Sequence, residues 1–278
     1  MAWAPCALGA GYAASVRDGT QIGASEPREH RLSFEDHFSR APADYRAFRP
    51  TYPDELFEHV ASLCTEHRRA LECGAGSGQA TAGLVRHFET VVATDASHAQ
   101  LGTAPAGGAP RVVCVAEALP LPDASVDLVA VAQALHWLRL DAFFAEVRRV
   151  ARPGAVLAAW TYGLPEVAPE VDALVRAFAY EEVERFWPPG RRHVETRYSE
   201  VSFPFEELDG PPFETARRMT GEQFLGYVGT WSAVKRAAAA TGEDPVAGLR
   251  RDFGAPWGPP ERVRLVRWPL TLRAGRVR

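Results

Sequence analysis

Three glycines at alternate positions, Gly74, Gly76 and Gly78, follow a run of apolar residues that carries one acid, Leu71-Glu72-Cys73. Alternate glycines let the backbone turn where a Cβ would forbid it, and they leave the main chain open to a ligand. A helical pattern begins at once with Gln79. A strand that enters such a loop and leaves it as a helix is the opening of a doubly wound α/β sheet, with a nucleotide-type ligand at the loop.

The rest of the chain continues that alternation. Strands are expected over residues 69–73, 91–95, 111–116, 126–132 and 155–162. The fourth is nearly all apolar, as a strand covered on both faces should be. Helices are expected over 79–88 and 140–150. The second has the stripe Leu140, Phe143, Phe144, Val147 and Val150, with Asp141 at its N-terminal end and Pro153-Gly154 as its stop. Residues 102–110 read as a Gly/Pro/Ala loop replacing most of a helix. Such alternation predicts a parallel sheet with helices on both faces. Beyond Gly163 helices are expected over 167–186, 222–240 and 246–253, and strands over 213–219 and 263–272. The last is read as an antiparallel edge, with the arginines from Arg262 to Arg278 on its solvent face. Residues 1–32 carry no sustained period and are expected to form a disordered N-terminal tail.

Composition narrows the function classes. The 278 residues are 46% hydrophobic and 24% charged, enough for a sizeable core. A net charge of −4 and a pI near 6.1 argue against nucleic acid as the main partner. Cys6, Cys64, Cys73 and Cys114 have no C-x-x-C spacing, so neither a disulfide framework nor a metal site is expected. No apolar run approaches the ~20 residues of a membrane span. The first fourteen residues lack the basic start of a signal peptide, which makes a cytoplasmic protein the expectation.

The loop itself discriminates between ligands. Counted from Gly74 or Gly76, the third glycine of a dinucleotide fingerprint falls on Gln79 or Thr81, so G-x-G-x-x-G fails. Gly78-Gln79-Ala80 is not the G-K-[ST] close of a P-loop. Glu72, two residues before the first glycine, suits a cationic ligand without phosphates, and S-adenosyl-L-methionine is such a ligand. Asp95 ends the second strand, where a carboxylate can accept hydrogen bonds from both ribose hydroxyls. A simple cap on residues 96–97 is the plainer role for it.

Residues 71–79 and 91–95, with Ala116-Glu117-Ala118-Leu119-Pro120 and Ala132-Gln133-Ala134-Leu135-His136-Trp137, together resemble class I S-adenosylmethionine-dependent methyltransferases of the methyltransferase type 11 group. The nearest branch is the trans-aconitate methyltransferase-like one. The likeness spans most of residues 33–272. It includes Phe38, Tyr45-x-x-x-Arg49-Pro50-x-Tyr52-Pro53, Arg149-Val150-x-Arg152-Pro153-Gly154 and Thr230-Trp231-Ser232-Ala233. The resemblance implies a Rossmann-like doubly wound seven-stranded sheet, mostly parallel with an antiparallel last strand, plus a helical cap. It implies one methyltransferase domain over 33–278, with 163–210 as a lid that selects substrate. It assigns Glu72, Gly74, Ala75, Gly76, Gly78 and Gln79 to the methionine end of the cofactor, Asp95 and Ala96 to the ribose, and Ala116 and Glu117 to the adenine. Gln133, Ala134, His136 and Trp137 would lie near the reactive methyl, and Tyr45, Arg49 and Tyr52 would close over the cofactor.

His136 could act as a general base, because imidazole titrates near neutrality. A structural role at the strand end is preferred, since no partner for it is visible in the sequence. Trp137, Trp187 and Trp231 could line a substrate pocket or pack in the core. Arg185, Arg191, Arg192 and His193 could bind an anion or belong to a solvated loop. The expected activity is methyl transfer to a small molecule, with a carboxylate among the candidates, by a monomer or homodimer. A degenerate methyltransferase fold serving as a binding or scaffold protein is the alternative.

Overall fold

The computed structural model describes residues 48–104 and 109–278. The expected tail, Phe38, Tyr45 and the middle of the 102–110 loop lie outside the described residues.

Among the described residues eight strands form one sheet: β1 (Arg69–Cys73), β2 (Thr90–Asp95), β3 (Arg111–Val113), β4 (Val126–Ala132), β5 (Ala151–Tyr162), β6 (Glu206–Leu208), β7 (Phe213–Met219) and β8 (Arg264–Arg276). Their order is β3-β2-β1-β4-β5-β8-β6, with β7 also on β8. Strands β1 to β5 are parallel, and β8 runs antiparallel to β5, β6 and β7. The order reverses between β1 and β4, the crevice where open α/β sheets bind ligands.

The seven expected strands become eight because one row is cut in two. β6 pairs with Ala274 to Arg276 of β8 and β7 with Arg264 to Leu270, along the same edge. Between them lies Asp209-Gly210-Pro211-Pro212. Two prolines have no N–H to give a ladder, so pairing stops there and resumes. This row also corrects the reading of β8 as an edge strand: it is interior. Its arginines reach across to the outer row or anchor loops. Arg267 pairs with Glu214 at 2.5 Å and Arg273 with Glu207 at 2.5 Å. Arg276 donates to the carbonyls of Gly154 and Leu63. Exposed pairs of this kind contribute roughly 0.2–1 kcal/mol each, so their main effect is to hold register.

Apolar clusters cover both faces of the sheet. On one face the helix Asp54–Ser62 buries Leu56, Phe57, Val60 and Ala61. On the other the helix Leu140–Val150 buries Phe143, Phe144, Val147 and Val150, which contribute roughly 1.5–3 kcal/mol apiece. Arg139 is its N-cap, and Asp141 lies in the first turn. β5 begins directly after it, so Pro153-Gly154 lies inside a strand and is not the helix stop. Ala151 pairs with Val126, and an irregularity in register before Val156 takes up the proline and the glycine.

The other departures are local. The helix after the glycine loop is only Thr81–Leu84, and Gly83 within it lies flush against the Phe57 ring. A short helix, His98–Thr103, capped by Ser97, precedes the segment expected as loop and runs two residues into it. β3 ends at Val113, three residues early. In the insertion, helix Pro169–Ala177 continues as a π turn over Phe178–Glu182, and an unforeseen helix Arg191–Glu195 follows Pro188-Pro189-Gly190. Residues 222–240 are two helices, Gly221–Gly229 and Ser232–Thr241, parted at Thr230-Trp231. Ala247–Trp257 is the last helix.

Candidate active site

The glycine loop leaves the C-terminal end of β1 with Gly74, Gly76 and Gly78 at φ of +72°, +54° and +83°. All three are left-handed values that favour glycine. Two bonds hold the loop against β2. Ala75 N–H donates to the Thr94 carbonyl at 2.9 Å, and Gly76 N–H donates to Asp95 Oδ2 at 2.8 Å. Asp95 Oδ1 accepts from Ser97 N–H at 2.8 Å. Of the two roles expected for Asp95 the cap is therefore seen, and its other oxygen is bound to the glycine loop. Ser77 donates to Gln79 Oε1 within the turn.

Glu72 faces inward, 1% exposed, and accepts a short hydrogen bond from the Thr81 hydroxyl. Burial, reinforced by the nearby Asp95 charge and only partly offset by Thr81, pushes its carboxyl up to about 8. So dry a carboxyl keeps its proton near neutrality unless a cation approaches. Ala116 is buried just past β3, and Glu117 Oε1 accepts the Arg139 amide at 2.8 Å.

The end of β4 turns sharply. Gln133 is left-handed at φ +54°, and its side-chain amide spans to the end of β5. Gln133 Oε1 accepts from Thr161 Oγ1 at 2.7 Å and Tyr162 N–H at 2.9 Å, while Nε2 donates to the Tyr162 carbonyl at 3.0 Å. This clamp turns Leu135–Trp137, a 3₁₀ turn, toward the glycine loop, and Ala134 abuts Gly74. His136 is stacked obliquely on Trp137, with ring centroids 5.1 Å apart, and its Nδ1 is 3.3 Å from the Tyr198 hydroxyl. Tyr198 is fully buried and is the partner that sequence could not supply. Burial, then the charges of Arg191, His193 and Arg49, pull the imidazole down to about 3.

Beyond this turn opens a cleft of about 520 Å³, its open mouth included. Arg49, Gln133, His136 and Trp137 line it together with Tyr162, Trp187, Arg191, Tyr227 and Trp231. All three tryptophans proposed for a pocket border it, Trp187 and Trp231 with centroids 5.7 Å apart. Arg49 donates to Thr230 Oγ1 at 2.9 Å and to the Thr230 carbonyl at 3.2 Å, and its guanidinium lies over Tyr227. It thus borders the cleft, while Tyr52 packs edge-on to Trp160 and Phe57. Among the four basic candidates Arg191 lines the cleft. Arg192 turns to solvent and pairs with Glu200, and Arg185 lies over Phe186. Tyr162 and Tyr227 were missed. Tyr162, the polar residue ending an apolar strand, could have been noticed. Among the described residues no group of three or more His, Cys, Asp or Glu could hold a metal ion, and no helix is long and apolar enough to cross a membrane.

A doubly wound sheet with a glycine cradle at the end of β1, an acid at the end of β2 and an aromatic cleft beyond the end of β4 has the plan of a nucleotide-type α/β enzyme. The methyltransferase domain family matches residues 71–159, from β1 into β5. A provisionally named methyltransferase of Dictyostelium discoideum is 34% identical over 216 residues, 76% of this chain and 82% of that protein. A solved structure of a provisionally named type II methyltransferase from Anaeromyxobacter dehalogenans is 49% identical, covers 83% of this chain and 98% of its own, and superposes with a TM-score of 0.75. A malonyl-[acyl-carrier protein] O-methyltransferase of Halorhodospira halophila is 37% identical over 170 residues, 58% of this chain and 56% of that protein. Uncharacterized methyltransferases of Mycobacterium are 41% identical, but over about half of their own length. The chain belongs to the class I S-adenosylmethionine-dependent methyltransferases, and its cofactor is S-adenosyl-L-methionine.

Proposed function

We propose that the protein methylates a carboxylate oxygen of a small molecule held in the cleft between the end of β4 and the 163–210 insertion. When bound, S-adenosyl-L-methionine supplies an electrophilic methyl whose bond to sulfur breaks as a bond to an in-line oxygen forms. The three glycines and Asp95 would hold it, with Glu72 behind the loop, Ala96, Ala116 and Glu117 on the adenosine side, and Gln133, Ala134, His136 and Trp137 beside the methyl. The fit rests on the left-handed cradle, which is open to a ligand, and on a dry acid suited to a cation.

The observation that carries the choice of acceptor is the lack of a base. No Asp or Glu is among the described residues lining the cleft, and His136 is held neutral with its Nδ1 engaged by Tyr198. A base so weak removes no proton from a hydroxyl or amine at neutral pH. A carboxylate arrives deprotonated and needs only alignment and the exclusion of water, which can contribute roughly 7–11 kcal/mol. The aromatic walls and the insertion over them supply both. The alternative of a non-catalytic scaffold has no observation in its favour, since cradle, acid and cleft are all formed.

Two measurements test the assignment. Calorimetric titration with S-adenosylhomocysteine should show binding that Asp95→Ala weakens by about tenfold or more. Incubation with labelled cofactor and a panel of carboxylic acids, alcohols and amines should give base-labile methyl esters. Undiminished binding by the variant would overturn the cofactor site, and products confined to amines would overturn the acceptor.

A further inference from the structure

We infer that Arg191 anchors a second anionic group of the acceptor, a carboxylate or phosphate that is not itself methylated. This rests on the cleft being the acceptor site.

Arg191 lines the cleft with its side chain only 13% exposed. Its Nε donates to Glu195 Oε1 at 3.3 Å, and its guanidinium lies over the Trp187 ring, 4.3 Å from the centroid. Its Nη2 is buried and has no hydrogen-bond partner. A guanidinium offers five donors in a rigid fork, and a buried donor left unmatched is costly enough that native structures seldom keep one. Arg49, the other cation of the cleft, spends its Nε and Nη2 on Thr230. Arg191 is therefore a built and incompletely paired cation in a cleft whose described lining presents no carboxylate.

The chain fixes this cation firmly. Arg191 follows Pro188-Pro189-Gly190, and its N–H donates to the Pro188 carbonyl at 2.9 Å. Gly190 lies so close to the His136 carbonyl that an added Cβ would come within 1.9 Å of the oxygen. The insertion is thus seated on the turn after β4, with Arg191 beside His136.

An anion taken by Arg191 is the wrong one to methylate. Charge-assisted hydrogen bonds from a guanidinium engage its lone pairs, and methylation would remove its charge and weaken its hold on the buried Nη2. The reacting oxygen belongs to another group of the same molecule.

The test uses the full chain saturated with S-adenosylhomocysteine. Titrated probes are glutarate, 3-phosphonopropionate and the uncharged glutaramide, followed by tryptophan fluorescence. Wild type should bind one or both anions and not the amide, and the preferred anion separates a carboxylate from a phosphate anchor. Arg191→Gln should weaken anion binding by about tenfold or more while leaving S-adenosylhomocysteine affinity unchanged. Arg191→Lys should recover part of it, and provides the reading if the Gln variant does not fold. Arg192→Gln, at a site 74% exposed, should change nothing. Equal anion binding by wild type and both Arg191 variants, or no anion binding by wild type, overturns the inference. Failure of S-adenosylhomocysteine itself to bind would instead overturn the underlying assignment.

Discussion

Gly74 gives the sharpest test of how the cradle is built. At φ +72° an alanine would be held in the left-handed region, at a cost of about 1–2 kcal/mol. Its Cβ would also stand 2.5 Å from that of Ala134, where carbon atoms prefer about 3.5–4.0 Å, and such overpacking costs about 1–3 kcal/mol more. The total is about 2–5 kcal/mol. Gly76, at φ +54°, has nothing nearer than Gln100 Oε1 at 3.9 Å, so Gly76→Ala should cost only the first share. For a domain of this size each kcal/mol moves Tm by about 2–4 °C. Calorimetry should therefore place Gly74→Ala roughly 5–15 °C below wild type and Gly76→Ala clearly nearer to it. Adding Ala134→Gly to Gly74→Ala should restore the packing share and leave the conformational one, a coupling read directly from the double-mutant cycle. Equal losses at both glycines, with no recovery from Ala134→Gly, would refute the argument.

Other positions give independent tests. Burial pushes the Asp127 carboxyl up, but Arg152 at 2.5 Å and the Arg68 and Arg69 amides outweigh it and hold it below its ordinary value. Its stabilisation is then complete above about pH 4 and lost as pH falls; Asp127→Ala should cost about 3 kcal/mol in urea melts at pH 7 and less at pH 3.5. His136, pulled down to about 3, stays neutral throughout the working range. The pH profile of kcat should lack a limb between pH 5 and 8; one that disappears in His136→Asn would revive the general base. Burial pushes the Cys64 thiol up to about 12 and raises Cys73 as well. Ellman titration of the native protein at pH 8 should leave both silent until denaturant is added.

What the sequence disclosed depended on how local the cause was. The cradle, β4 and the helix Leu140–Val150 were legible because glycine alternation and apolar periodicity act within a few residues. The start of β5 was not, because the pairing of Ala151 with Val126, with the proline and the glycine taken up in a register shift, is a long-range contact that a local stop signal does not reveal. The arginines of β8 looked like an edge because alternation does not say whether carboxylates such as Glu214 and Glu207 stand opposite. The same limit governed the site. Glu72 and Asp95 could be named from their places near the ends of strands and Gln133 through the family resemblance, but their partners Thr81, Ser97 and Thr161 could not all be foreseen. Tyr198, left-handed at φ +61°, is 62 residues from the imidazole it meets and carries no local signal.

The split outer row has a consequence for how the chain assembles. β6 and β7 are synthesised before β8, yet each pairs with β8. β8 also covers the open side of β5 from Val156 to Tyr162. Until residue 264 has left the ribosome, three hydrogen-bonding edges are exposed together, which is the condition under which nascent sheets stick to one another. Folding of this half is thus postponed to the arrival of a single thirteen-residue segment. A stalled or shortened chain would lose more than a strand: it would present those edges to its neighbours.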